Sequence, residues 1–374
     1  MTRFDALLWL GQALAGAAPP LPAANGDWET LLLVASEQRV AGALCGALER
    51  AGTLSQVPET YREALELLRT LGRERNAEVI AQARHLADAL NAAGVPFALL
   101  KGTAHVASGL HSDAGERLLG DIDLLVVPEQ LAAAVAALRG AGYAVQDAGL
   151  LHADGEARGD VHYPPLAHAS WPLVVEVHWA VLPGAGGVAL PAPELLQRAR
   201  EITLPGGASA RVLHPADALA YGILHAELRH WAAVSRGLQL WNLFDTLLLA
   251  RALDPSQRDG VTRRLASPEL ARALRSHGES LGLLFGEAIP APLRRNMPRW
   301  VRARVRHQVN ATALGALDAA CCRAAQALGN EADNIARQWR TPERRAALLR
   351  KVADAGSYRR RLRNVWARLR GPHR

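Results

Sequence analysis

Lysine is almost missing from this chain. Of 43 lysines and arginines in 374 residues, the only lysines are Lys101 and Lys351. Cysteine is nearly as scarce: Cys45, Cys321 and Cys322 have no metal-ligand spacing and build no disulfide framework, so a reducing compartment, the cytoplasm, is expected. No stretch reaches the ~20 uninterrupted apolar residues of a membrane span. The segment from Arg3 through Ala18 imitates a signal peptide, but Asp5 and Gln12 interrupt it. Leu7, Leu8, Leu10 and Leu14 instead have the spacing of a helix packed on a core.

What is present fits a soluble globular protein: 49% hydrophobic residues, a mean hydropathy of −0.01 and room for two or three domains. A net charge of +7 and a pI of about 9.9 point toward an anionic partner. A composition that otherwise chooses arginine keeps a lysine in Lys101-Gly102-Thr103, where a compact point charge and a planar fork are not interchangeable.

That tripeptide sits in the stretch around which the chain is organised, Val95 to Val127. Val95 to Leu100 is a short apolar run after Gly94, the pattern of a buried strand. At Gly102 the backbone is free to turn tightly and approach a ligand, and a helix starting there would aim free N–H groups at an anion. Asp121 to Val127 then alternates, so Asp121 and Asp123 share one strand face while Ile122 points to the other. Two like charges ~4 Å apart cost roughly 4 kcal/mol at an effective dielectric of 20. Mg²⁺ removes that cost and takes its other ligands from water and substrate phosphates. A bare D-x-D is more often a solvated strand end; the lysine-glycine turn before it favours the metal.

Along the chain, residues 1–94 read as helical, with one helix over Thr30 to Arg50 and a longer one over Pro58 to Ala93. Pro128 starts a helix that ends at Gly140, Tyr143 to Val145 is a strand, and Asp147 to Asp160 is a polar loop. Pro172 to Ala180 is a buried strand with Glu176 and His178 on one face. A carboxylate inside such a run needs a partner or water. If this strand lies beside Asp121 to Val127, Glu176 becomes a third metal carboxylate. Pro183 to Gly187 resembles a phosphate loop but lacks the following lysine, and reads as a flexible connection. Ile202 to Leu213 fits a hairpin turning at Gly206-Gly207. Helices then follow over Ala216 to Trp231, Gly237 to Ala252, Pro268 to Leu284, Pro292 to Leu328 and Glu343 to Leu369. His225 and His230 are five apart, off the spacing of a helical zinc pair, and read as structural.

Lys101-Gly102-Thr103, Arg117, Gly120-Asp121-Ile122-Asp123-Leu124-Leu125-Val126 and Glu176-Val177-His178-Trp179, with Leu224-His225 and Trp241 to Asp245, together resemble the bacterial uncharacterised nucleotidyltransferase family of the polymerase-beta-like superfamily. The resemblance spans roughly residues 30 to 260. Glycine-threonine stands where the superfamily usually has glycine-serine, and the gap to the aspartates is long for its compact members. The resemblance implies an α+β fold: a mixed β-sheet core flanked by helices, with an N-terminal helical region and a C-terminal helical domain. The corresponding divisions are residues 1–94, 95–213, 214–340 and a basic helical tail, 341–374.

It also implies Mg²⁺ (or Mn²⁺)-dependent transfer of a nucleoside monophosphate from ATP or another NTP to an unidentified acceptor (small molecule, RNA or protein), releasing pyrophosphate. Asp121, Asp123 and Glu176 would be the catalytic and metal-binding carboxylates. Gly102, Thr103 and Gly120 would lie at the nucleotide phosphates, with Lys101 and Arg117 adding positive charge there or pairing with carboxylates. His178 and Asp245 would serve the acceptor or support the site, or be structural. The alternatives are a nucleotide-binding scaffold without turnover, or an RNA- or membrane-surface adaptor acting through the basic segment Arg344 to Arg370.

Overall fold

The computed structural model describes residues 1–146, 161–229, 239–286, 290, 293 and 299–310. The loop expected over 147–160, His230 and the basic tail lie outside the described residues.

The chain opens with α1 (Arg3–Leu14), started by a capping box. The Thr2 hydroxyl accepts from the Asp5 N–H and the Asp5 carboxylate accepts from the Thr2 N–H. Then come α2 (Asn25–Glu37), α3 (Ala41–Arg50) and the long α4 (Glu59–Ala92). The single helix expected over Thr30 to Arg50 is therefore two. They break at a turn in which the Val40 N–H donates to the Ala35 carbonyl and the Arg39 N–H to that of Ser36, with Arg39 at φ 55°. This hydrogen-bond pair ends helices most often with glycine at the left-handed position. An arginine there carries no sequence signal for a break and costs roughly 1–2 kcal/mol.

Seven strands form one mixed sheet: β1 (Ala98–Leu100), β2 (Ile122–Leu125), β3 (Ala144–Val145), β4 (Leu166–Ala167), β5 (Val175–His178), β6 (Arg200–Thr203) and β7 (Ser209–Val212), in the order β3-β4-β5-β2-β1-β7-β6. β2 runs parallel to β5 and β1 parallel to β7; the other neighbours are antiparallel. β6 and β7 are the expected hairpin about Gly206-Gly207.

Alternation along the strands divides the core. Leu99, Ile122, Leu124, Val175 and Val177 pack with α4 and with α6 (Leu131–Gly140) on one face. Ala98, Leu100 and Leu125 join the other face to a cluster shared by the N- and C-terminal helices. α5 (Lys101–Ala107) follows β1, and α6 is preceded by a 3₁₀ turn at Pro128–Gln130. After β5 the glycine-rich segment expected as a flexible connection is instead α7 (Gly184–Ala189), with α8 (Ala192–Arg198) behind it. A Cβ on Gly187 would overlap the Leu182 carbonyl, so glycine serves close packing there. The C-terminal helices are α9 (Pro215–Leu224), continued by a π turn at His225–Arg229, α10 (Leu240–Ala252), α11 (Pro255–Arg264), α12 (Pro268–Phe285) and α13 (Arg299–Asn310). Among the described residues no helix is long and apolar enough to cross a membrane.

The long gap between the lysine-glycine turn and the aspartates is a built scaffold. Arg50 pairs with Glu116, Arg73 with Asp113, and the Asn76 side-chain amide donates to the carbonyls of Ala114 and Arg117. At its centre Gly115 lies so close to α4 that a Cβ would overlap the carbonyl oxygen of Arg69. Gly115→Ala is therefore expected to lower stability by about 1–3 kcal/mol, the usual cost of overpacking. An unchanged urea midpoint would refute this account of the scaffold.

Candidate active site

In the parallel ladder of β2 and β5, Asp123 lies directly opposite Glu176, and Leu125 opposite His178. Strand alternation sends Asp123, Glu176 and His178 to the face away from α4 and α6. There each offers one ligand atom, and the three atoms lie within 4.8 Å of one another. Asp121, expected in the same trio, precedes β2 and stands exposed at the cleft, outside that cluster.

Asp123 is 1% exposed, and its Oδ1 accepts from Lys101 Nζ at 2.6 Å and from His178 Nε2 at 2.8 Å. Burial opposes ionisation, but the ammonium and the imidazole outweigh it and hold the carboxyl below the usual range. Lys101 is raised in turn: burial disfavours its charge, and Asp123 more than restores it. An ionised carboxylate only accepts, so His178 carries its proton on Nε2. Its Nδ1 is buried without a hydrogen-bond partner, and burial keeps the ring's pKa below the ordinary histidine value. His178 thus aims Asp123. His162, which sequence reasoning missed, brings Nε2 to 3.9 Å from Glu176 Oε2 and its ring to 5.0 Å from that of His178. It is an isolated bridge residue beside β5, outside any recognisable strand pattern.

Asp121, Glu176, His178 and His162 line one side of a cleft of about 990 Å³ between the sheet and the helices, together with Lys101, Gly102, Arg117 and Gly120, and Asp123 is buried behind them. The left-handed residue at the turn is Lys101, at φ 50°, whereas Gly102 makes a close approach: a Cβ there would lie 2.8 Å from Leu119 Cδ2 and 3.3 Å from Arg117 Nη2. Thr103 is 1% exposed, and its hydroxyl donates to the Asp121 carbonyl at 3.3 Å, tethering the start of β2 rather than facing the cleft.

Arg117 took the other alternative open to it. Its Nε donates to both oxygens of buried Asp245 at 2.9 and 3.2 Å, and its guanidinium stacks 4.2 Å from the Trp241 ring centroid. His111 Nε2 reaches the same carboxylate at 2.9 Å and His105 Nδ1 at 3.3 Å. Burial alone would raise the Asp245 pKa; Arg117 and the histidines hold it well below the carboxylate range. Asp245 thereby fastens α10 to the segment just before the D-x-D strand. Neither His105 nor His111 was legible as its partner, since the contact spans more than a hundred residues of sequence.

The residues present fit a divalent cation. Asp121, Asp123 and Glu176 put three carboxylates against the single Lys101 ammonium, and the negative charge of Asp123 pushes the Asp121 pKa up to about 6. Carboxylate oxygens are the ligands that Mg²⁺ and Mn²⁺ prefer. Because the folded state raises this pKa, its contribution to stability is present below the unfolded value of about 4 and is lost as pH rises through about 6. Asp121→Asn removes the penalty, so its melting temperature should rise relative to wild type as pH goes from about 4 to about 7 in metal-free buffer. A constant difference across that range would contradict the electrostatic assignment.

The profile of a family described as uncharacterised nucleotidyltransferase matches residues 24–286 of this chain. No match to a curated protein was found.

Proposed function

The chain belongs to the uncharacterised nucleotidyltransferase family, and on that premise we propose that it moves a nucleoside monophosphate from ATP or another NTP to an acceptor hydroxyl. The acceptor oxygen forms a bond to the α-phosphorus, the bond to the β-phosphate bridge breaks, and pyrophosphate leaves. The observation that carries this reading is the register of β2 against β5, which sets buried Asp123 opposite Glu176, itself at the cleft.

Asp123, Asp121 and Glu176 would hold the cation. Mg²⁺ or Mn²⁺ bound by them supplies the positive charge that offsets charge developing on the reacting phosphate. Glu176 is the less buried of the two paired carboxylates, with a side chain 15% exposed, and suits the task of taking the acceptor's proton. His178 keeps Asp123 aimed through its Nε2–H. Lys101 steadies the same carboxylate, Gly102 and Gly120 let the nucleotide approach the backbone, and Arg117 holds the cleft wall through Asp245. The acceptor is a small molecule, RNA or protein, and an NTP substrate places the reaction in the cytoplasm.

The test is pyrophosphate release by the full chain with each NTP, Mg²⁺ or Mn²⁺, and cell extract as a source of acceptor. Release that EDTA abolishes is expected. Nucleotide binding without pyrophosphate release under any of these conditions would reduce the protein to a nucleotide-binding scaffold.

A further inference from the structure

Both positive-φ residues other than glycine among the described residues, Arg39 and Lys101, are basic and line the same cleft. Left-handed backbone at a bulky residue collects at functional sites, where the side chain is worth the strain. For Lys101 the use is visible in its bond to Asp123. For Arg39 it is not. The contrast with the rest of the chain is sharp: α1, α3, α4, α5 and α6 end in the same two-hydrogen-bond turn as α2, and each puts glycine at the left-handed position, namely Gly16, Gly52, Gly94, Gly109 and Gly142. Only α2 among these puts an arginine there.

The Arg39 guanidinium lies beside the D-x-D strand. A Cβ built on Gly120 would be 3.8 Å from its Nη1. Among the described residues it has no ion pair and no side-chain hydrogen bond. Lys101 and Arg117, by contrast, are committed to Asp123 and Asp245.

Resting on the NTP reading of this cleft, we infer that the phosphate chain of the substrate is held by Arg39, rather than by Lys101 and Arg117. A guanidinium offers a planar fork that matches phosphate oxygens two at a time. An uncommitted fork on the wall of a cleft that Asp121 and Glu176 also line gives a polyphosphate both of its ends: one arginine side and one metal side.

The probe is sodium tripolyphosphate, titrated calorimetrically into the full chain in EDTA, so that the carboxylates contribute no metal. Wild type should bind it. Arg39→Gln should weaken binding by about tenfold or more, as expected for charge-assisted hydrogen bonds. Arg39→Gly should lose affinity equally while its melting temperature stays the same or rises, because glycine takes the left-handed turn without strain. Arg62→Gln, on the outer face of α4, should change nothing. No binding by wild type, or binding by Arg39→Gln within about twofold of wild type, overturns the inference. The two readings separate cleanly. NTP turnover with an unchanged KM in Arg39→Gln would sink the inference and leave nucleotidyl transfer standing. Arginine-dependent tripolyphosphate binding in a protein that turns over no NTP would do the reverse.

Discussion

Glu176→Gln is expected to lower the rate of nucleotidyl transfer by about a thousandfold while the protein stays folded. Positive charge held at a reacting phosphate is worth several kcal/mol of transition-state stabilisation, and ~4 kcal/mol corresponds to about three decades of rate. Glutamine keeps the size and one acceptor oxygen of Glu176 but loses the charge and the capacity to take a proton. No ion-pair partner within the described protein is left hydrogen-bond stranded by its neutralisation, since His178 Nε2 and His162 Nε2 stand 3.7 and 3.9 Å from its Oε2. Asp123→Asn should be at least as inactive, but it is the less clean variant. It leaves the Lys101 ammonium, only partly exposed at the cleft, beside a neutral amide, so part of its effect will be on stability. The pair is therefore informative together. A kcat that collapses in both, with normal thermal unfolding in Glu176→Gln, is the expected pattern. Wild-type turnover in Glu176→Gln would remove the metal-carboxylate assignment.

Asp245→Asn should cost about 3–5 kcal/mol of stability, the range for removing one member of a buried ion pair. That is a large share of the 5–15 kcal/mol that keeps a typical domain folded. The carboxylate is buried, accepts twice from Arg117 Nε, and gathers two histidines. With asparagine there, the guanidinium remains in the same low-dielectric place against Trp241 without a counter-charge. Chemical denaturation measures the loss directly. Replacing both partners by apolar residues of similar volume should recover most of it, because the cost comes from the orphaned charge more than from the missing pair. A loss under about 1 kcal/mol would put the pair in the class of exposed salt bridges.

The sequence made the site's centre legible for a simple reason. Strand alternation is local, so Glu176-Val177-His178 announces which side chains share a face before any tertiary contact is known, whereas Asp121, just before β2, stays outside the cluster that Asp123 joins. The step from two strands to one site, Asp123 beside Glu176, needed their pairing, and the structure supplies it in the ladder. Local signals also fixed α4 to within a residue at each end and the turn at Gly206-Gly207.

Other features depended on distant partners or on unusual residues in ordinary motifs. The break between α2 and α3 was hidden because Arg39 occupies a position where glycine would have marked it. α11, with charged residues and a single buried Val261, presents no apolar stripe, and α8 is only two turns long. Thr103 reads as a phosphate ligand from its place in the motif, and Lys101 and Arg117 read as phosphate ligands or as partners of carboxylates. Lys101 and Arg117 are paired with carboxylates, Asp123 and Asp245, and Thr103 is bonded to the Asp121 backbone. A motif marks which residues gather at a site; it does not say which of them are already engaged when the substrate arrives.

Wild-type protein incubated with cell extract and divalent cation, once with NTP labelled at the α-phosphate and once at the γ-phosphate, tests the central claim most directly. The account requires the α-label to appear on an acceptor fraction, the γ-label to appear in pyrophosphate, and EDTA to abolish both. Transfer of the γ-label to an acceptor, or α-label left wholly in the nucleotide, would contradict it.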